Sequence, residues 1–391
     1  MATGLWVWPL VANIKVNKIF KEMGMPDIRL EKLADLLVNY SVKVKSGDKV
    51  AITGENVTTP LINAVYAKVL KAGGHPIVIA RSTDTLELLY RYGSQEQIEY
   101  VHELQKIVTE KYDVRIVILG GENSKALSRV PSEKMVWYDK SRSDLMKTMM
   151  KRDAAGEFRW VIAPYPTSSM AQDAEMSLSD YEDFSYKACM PDLNDPVSYW
   201  NKVSAEQERI VNWLKGKDKV HVIGKETDLH LSISGRKFIS CAGERNVPDG
   251  EVFTGPVENS VNGHVYFSYP AIEAGHEVTG VRLWFKDGKV VKATAEKNED
   301  YLLKTLDTDA GSRFLGEFAI GTNEGIQQFT REILFDEKIG GSFHMALGAG
   351  YPETGSINES AIHWDMVCDL RDGGEIWVDS QLLYRNGKFV I

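Results

Sequence analysis

Residues 50–80 read VAITGENVTTPLINAVYAKVLKAGGHPIVIA, and this stretch decides the class of the first half of the chain. The apolar run Val50-Ala-Ile-Thr53 has the length of a buried strand. Thr58-Thr-Pro60 offers a helix start, because a proline in the first turn lacks only an N–H that the helix would leave unbonded. The helix continues to Ala72, Gly73-Gly74 ends it, and Pro76-Ile-Val-Ile-Ala80 forms a second strand. The result is one βαβ unit.

The same alternation extends outward. An amphipathic helix from about Leu30 through Ala34 to Val44 feeds the first strand by way of Ser46-Gly-Asp. Downstream, the pattern predicts a helix near Gln95 to Lys111, the strand Val114 to Leu119, a short strand around Met135 to Tyr138, a helix from Ser143 to Lys151, and the strand Trp160 to Ala163. Strands alternating with helices in this way build an α/β domain on a doubly wound parallel sheet. Gly120-Gly121 follows a strand, yet the chain has no G-x-G-x-x-G and no Walker lysine, so no phosphate loop is assigned.

After a helix from about Val197 to Leu214 and a strand Val220 to Ile223, strand-like segments dominate. Leu229 to Ile233, His264 to Ser268, Val278 to Phe285 and Lys289 to Ala295 follow one another, with Asp287-Gly288 supplying the positive φ angles of a tight hairpin. These changes place a domain boundary between residues 225 and 240. The expected division is 1–235 for the α/β domain and 236–391 for a C-terminal α+β domain.

Acidic residues outnumber basic ones, 55 to 46, for a net charge of −9. Phosphate-backbone binding needs the opposite balance, so nucleic acid is not an expected partner. Cys189, Cys241 and Cys368 are odd in number and lack CxxC pairing, as free thiols of a reducing cytoplasm would be. The apolar opening from Met1 to Leu10 is too short to span a bilayer and lacks a positive n-region, so neither a signal peptide nor a membrane anchor is expected. Its Trp6 and Trp8 are expected to pack on a neighbouring surface.

Candidate chemistry lies late in the chain, where His344 and His363 occur among Gly, Ser and Asn. In a strand, positions i and i+2 share a face, so His363 and Asp365 can offer an imidazole and a carboxylate to one metal. The pattern is common, and a half-buried histidine beside a surface aspartate would satisfy it equally. Glu251 and Glu317 each sit between apolar or turn residues. A buried carboxylate needs a partner or a metal, although alternation would also let Glu317 face solvent.

Taken together, five segments resemble the aminopeptidase T family of metallopeptidases, which includes aminopeptidase S. They are Asn246-Val-Pro-Asp-Gly-Glu251-Val-Phe-Thr, Leu315-Gly-Glu317, Phe335-Asp-Glu337, His344-Met-Ala-Leu-Gly-Ala-Gly-Tyr351-Pro and Asn358-Glu-Ser-Ala-Ile-His363-Trp-Asp365. Upstream, Trp160-Val-Ile-Ala-Pro-Tyr-Pro-Thr and the block from Ala174 to Phe184 are similar to family segments, so the likeness spans most of the chain. The interval of 19 residues from His344 to His363 is shorter than the family's, and Asp365 is followed by Met-Val-Cys-Asp rather than Phe-Met-Ile-Gly.

The resemblance implies that Glu251, Glu317, His344, His363 and Asp365 bind metal, with Glu337 a further carboxylate of the site. Glu317 would bridge two divalent ions, which could be zinc, cobalt, manganese or magnesium, and Tyr351 would steady the developing oxyanion. Two such ions can hold a water between them and lower its pKa toward neutrality. The implied substrate is a peptide with a free amino terminus, and the implied assembly is a homodimer. Two other readings compete. A ring-cleaving iron(II) dioxygenase could use His344, His363 and Asp365 alone, and a non-catalytic binding protein could keep the site without turnover.

Overall fold

The computed structural model describes residues 27–273 and 275–391; Trp6 and Trp8 lie outside them. Strands β1 (Lys49–Glu55), β2 (His75–Arg81), β3 (Val114–Leu119) and β4 (Arg159–Pro164) form a parallel sheet in the order β2-β1-β3-β4. The helix joining β1 to β2 is Thr59–Lys71, with a proline in its first turn. It ends before Gly73, whose φ of 82° is a conformation that glycine adopts without a steric penalty. One sheet face carries Val50, Ile52, Val114, Ile116 and Val161 into a core with Leu61, Val65 and Val69 of that helix. The first predicted helix is Ile28–Asp35, and it continues as a wider turn in which the Val42 N–H donates to the Leu37 carbonyl.

Two local expectations change. Met135 to Tyr138 is not a strand, because residues Ser132–Ala154 form one continuous helix. The four consecutive apolar residues imitate a strand, yet no glycine or proline separates them from the helix that follows. The predicted helix from Gln95 to Lys111 is two, Gln95–Glu99 and Glu103–Lys111, divided by extended backbone at Tyr100 and His102.

The remaining strands form two antiparallel sheets. Their ranges are β5 (Lys219–Gly224), β6 (Thr227–Ser232), β7 (Ile239–Cys241), β8 (Glu251–Thr254), β9 (Asn262–Tyr266), β10 (Ala271–Glu273), β11 (His276–Val278), β12 (Arg282–Lys286), β13 (Lys289–Thr294), β14 (Leu315–Gly321), β15 (Ser342–Gly348), β16 (His363–Asp369), β17 (Glu375–Val378), β18 (Gln381–Arg385) and β19 (Lys388–Phe389). The larger sheet runs β13-β12-β9-β6-β5-β17-β18-β19 and the smaller β16-β15-β14-β8-β7, while β10 and β11 pair alone. The β12–β13 hairpin turns at Asp287-Gly288, with φ of 49° and 84°, as its sequence predicts.

The two sheets share one core. Val222, Leu229, Val265, Leu283 and Ile376 of the larger sheet pack in one cluster with Val252, Phe318, Phe343, Met345, Trp364 and Met366 of the smaller. Each such side chain contributes on the order of 1.5–3 kcal/mol by burial. β5 and β6 belong to this unit, since they pair with β17 and β9. We therefore propose that the chain passes from the α/β unit to the second unit just before Lys219, earlier than residue 235. The two units touch where the Ile162 N–H of β4 donates to the Arg245 carbonyl and the Val247 N–H donates to the Ile162 carbonyl. Among the described residues no helix is long and apolar enough to cross a membrane, and all three cysteines are free thiols.

Candidate metal centre

The smaller sheet has two buried faces of opposite character. One face, bearing Phe318, Ile320, Phe343, Met345, Trp364 and Met366, enters the core. Side-chain alternation sends the intervening residues to the other face. There, Ala319 stands opposite His344, Ala346 stands between Glu317 and Asp365, Gly348 pairs with His363, and Gly321 pairs with Glu251. Five of the predicted residues thus share one face, with Ala319, Ala346, Gly321 and Gly348 among the positions between them and with Val367 and Cys241 opposite His344 and Glu251. The two alanines leave the space above the sheet to the carboxylates and imidazoles.

A bulge sets the aim of Glu317. Leu315 lies opposite Leu347 but Glu317 lies opposite Ala346, so Gly316 is the extra residue. In a regular strand Leu315 and Glu317 would share a face; the bulge keeps Leu315 in the core and turns Glu317 to the site. A Cβ on Gly316 would meet the Ala349 carbonyl oxygen at 2.1 Å. Gly316→Ala is therefore expected to cost about 1–3 kcal/mol by overpacking and to lower metal affinity by displacing Glu317. Thermal unfolding and metal titration of the variant check this; wild-type values in both would remove the bulge from the design of the site.

The ligand atoms converge. His344 Nε2 lies 3.3 Å from Glu251 Oε2 and 3.5 Å from Glu317 Oε1, while His363 Nε2 lies 3.3 Å from Glu317 Oε2 and 3.6 Å from Asp365 Oδ1. The two oxygens of Glu317 thus face different histidines. His363 Nδ1 is 2.8 Å from the Ala349 carbonyl, to which its N–H donates, and this leaves Nε2 free to face the site. Glu251 Oε2, His344 Nδ1 and Asp365 Oδ1 are buried without a hydrogen bond. Unsatisfied buried polar atoms of this kind are costly, and a divalent cation among these donors would satisfy the two carboxylate oxygens. Nitrogen and carboxylate donors suit zinc, cobalt and manganese, so the residues fit a metal.

Protonation follows from crowding. Burial alone would hold Glu317 up, but the adjacent imidazoles of His344 and His363 outweigh it and bring the carboxyl down to about 2. Burial also works against charge on both imidazoles, and the carboxylates around them nevertheless raise each to about 10. Asp365 is pushed up to about 6 by burial, despite His363, and Glu251 rises mainly for the same reason. The Tyr351 ring lies edge-on to His363 with centroids 5.1 Å apart. Burial, followed by the charge of Glu317 and Asp365, holds its hydroxyl far above the usual range, so it stays an O–H donor.

Glu337 follows the short helix Ile333–Asp336, and one of its oxygens groups with His344 and Asp365. Its neighbour Lys338, which the sequence did not single out, is completely buried, with its ammonium against Glu337 and 3.9 Å from Glu251 Oε1. No spacing signals it, because its burial depends on the fold of distant segments. Glu273 on β10 was missed as well. Burial, then the charge of Asp365, pushes it up to about 7, so a further carboxyl group lies near Asp365.

Residues 27–389 match the family described as thermophilic metalloprotease (M29). Among curated proteins, the chain is 25% identical to aminopeptidase 2 of Geobacillus stearothermophilus over 382 residues, covering 88% of this chain and 92% of that one. It is 25% identical to aminopeptidase T of Thermus thermophilus over 93% of this chain and 98% of that one. It is also 25% identical to aminopeptidase PepS of Streptococcus thermophilus over 94% and 100%. The solved structure of wild-type AmpT from Thermus thermophilus superposes with a TM-score of 0.82 at 23% identity, covering 95% of this chain and all of that one, and so shares its fold. The match runs from the first described helix to the last strand, and the chain belongs to the M29 family of thermophilic metalloproteases.

Proposed function

We propose that the protein is a metal-dependent aminopeptidase whose site holds two divalent ions sharing Glu317. The observation that carries this reading is the split of that carboxylate, with Oε1 toward His344 and Oε2 toward His363. It creates two donor groups, Glu251-Glu317-His344 and Glu317-His363-Asp365. The carboxylates of buried Glu251 and Glu317 and half-buried Glu337 and Asp365 face Lys338 and two imidazoles that carry charge only while protonated. Divalent ions would supply that charge once the imidazoles act as neutral ligands. When bound, the ions supply Lewis acidity toward a water and toward the scissile carbonyl. Zinc, cobalt, manganese and magnesium are the candidates.

The chain's own residues orient the reaction. Tyr351, kept protonated, donates a hydrogen bond to the oxygen on which negative charge develops. Glu337, held on one side by Lys338, is the carboxylate we assign to take the proton from the attacking water. The ammonium of a peptide's free amino terminus would approach the carboxylates of the site. An iron(II) ring-cleaving dioxygenase would need only His344, His363 and Asp365, leaving Glu251 and Glu317 without a purpose, and the relatives compared above lend it no support. A homodimer remains an expectation from the resemblance, and a cytoplasmic location one from the unpaired cysteines.

The test is release of the N-terminal residue from a short peptide by metal-loaded protein. Chelation should abolish release, added divalent ions should restore it, and the same peptide acetylated at its amino terminus should resist. Equal cleavage of the acetylated peptide, or indifference to chelation, would overturn the proposal.

A further inference from the structure

The helix Ser132–Ala154 lies over the parallel sheet, yet none of its 23 residues is buried. Beneath it is a cavity of about 280 Å³ lined by Leu104, Val108, Leu145, Met146 and Met149 together with Arg81, Gln105 and Arg115. A second cavity of about 420 Å³ shares Ile79, Arg81, Gln105, Tyr138 and Arg142 with the first. The second lies within, and the first just below, the range of small-molecule sites, which run from roughly 300 to 1,000 Å³. The crevice opens toward the carboxyl ends of β1 and β2, where Glu55 and Arg81 are the last strand residues. Open α/β sheets bind ligands outside the carboxyl ends of their strands.

The cations in this crevice differ in kind. The Arg142 Nε is also buried without a hydrogen bond, but its terminal nitrogens donate to the Ile98 and Tyr100 carbonyls and its guanidinium stacks on the Tyr138 ring. Arg115, on β3, is half-buried and its Nε is buried without a hydrogen bond. Among the described residues no hydrogen bond or ion pair is made by its side chain. Strand register puts it on the same face as Thr53, Ile79 and Arg81, because Ala51 pairs with both Arg115 and Ile77. Burial, then the like charge of Arg81, depresses its pKa. Gln105 Oε1, in the same lining, is also buried without a donor. An uncompensated guanidinium in an apolar crevice is costly unless an anion comes to it.

We infer that this crevice binds a small amphipathic carboxylate, its anionic head on Arg115 and its apolar body between the sheet and the helix Ser132–Ala154. The planar guanidinium matches a carboxylate in a bidentate fork. Leu145, Met149 and Val108 provide the apolar wall, and methionines adapt to more than one ligand shape. Gln105 Oε1 can accept from a hydroxyl or amide N–H on the ligand. The site is distinct from the metal centre, since none of its lining residues is shared with it.

Octanoate is the probe, titrated calorimetrically into the full chain, with inorganic phosphate and octanol as comparisons. Saturable binding of octanoate is expected, with at least 10-fold weaker binding to Arg115→Met. In the absence of octanoate, Arg115→Met should unfold no earlier than wild type, since it loses an unpaired charge, and its peptide hydrolysis should be unchanged. Octanoate should raise the unfolding temperature of wild type alone. The inference is overturned if octanoate fails to bind, or if it binds Arg115→Met as well as wild type. Octanol binding equally would remove the role of the guanidinium, and phosphate binding in place of octanoate would remove that of the apolar wall. A changed oligomeric state in Arg115→Met, by sedimentation, would assign the arginine to a subunit contact instead.

Discussion

Glu317→Gln is expected to lower peptide hydrolysis at least 100-fold while the protein remains folded. Glutamine keeps the length and shape of the side chain at the centre of β14, so the packing around a residue only 4% exposed is preserved. What changes is the donor set. A carboxylate whose two oxygens face two histidines becomes an amide with one acceptor oxygen and one NH₂ group. One of the two donor groups then loses its shared oxygen. Disturbing a residue that merely supports a ligand costs 10- to 100-fold in affinity or activity, so loss of a shared ligand should cost no less. Steady-state rates on a short peptide, with circular dichroism as the folding control, decide it. Activity within a few-fold of wild type would show that Glu317 is a buried structural carboxylate.

Lys338→Met is expected to carry the largest penalty in stability. Lys338 is completely buried, pairs with Glu337 and lies 3.9 Å from Glu251 Oε1, and its charge partly opposes the burial that pushes Asp249 up to about 7. Its ammonium is held well above the usual lysine range: burial opposes the charge, but Glu337, Glu251 and Asp249 more than offset it. Removing one partner of a buried ion pair typically costs 3–5 kcal/mol because the other charge is left uncompensated. At roughly 2–4 °C per kcal/mol for a domain of 150–250 residues, unfolding should begin about 6–20 °C earlier. The double variant Lys338→Met with Glu337→Gln should recover part of the loss, since one stranded charge goes with its partner. An unchanged unfolding temperature in chelated Lys338→Met would contradict this view of the buried charges.

How far the sequence reached depends on whether a feature is local. The βαβ unit from Val50 to Ala80 could be read because Pro60 and Gly73-Gly74 mark its helix ends by backbone chemistry. His363 and Asp365 could be placed on one face because strand periodicity alone decides it. Glu317 could not: alternation left it facing either solvent or a ligand, and the answer depends on the bulge at Gly316, which exists only once β14 pairs with β15. Met135 to Tyr138 misled because four apolar residues in a row carry no period of their own. Nor does local pattern distinguish a strand of one antiparallel sheet from a strand of another, so the assignment of β5 and β6 to the second unit came from long-range pairing. Lys338 and Glu273 escaped notice for the same reason.

Glu251, Glu317, His344, His363 and Asp365 are brought together on one sheet face, with alanines and glycines among the positions between them, and Glu337 joins them from the end of a short helix. Larger side chains at Ala319 or Ala346 would occupy the space above the sheet, whereas a Cβ on Gly321 or Gly348 would meet the Ile339 or Ile362 carbonyl oxygen, at 2.3 and 2.2 Å. Replacing Ala346 is the clearest instance, since it stands between Glu317 and Asp365 in the register.

The central claim is that Glu317 is shared between two divalent ions. Metal content per chain, measured by plasma mass spectrometry on protein of known specific activity, tests it most directly. Two ions per chain at full activity are expected, falling to one or fewer in Glu317→Gln. Full activity with a single ion per chain, or two ions retained in Glu317→Gln, would contradict it.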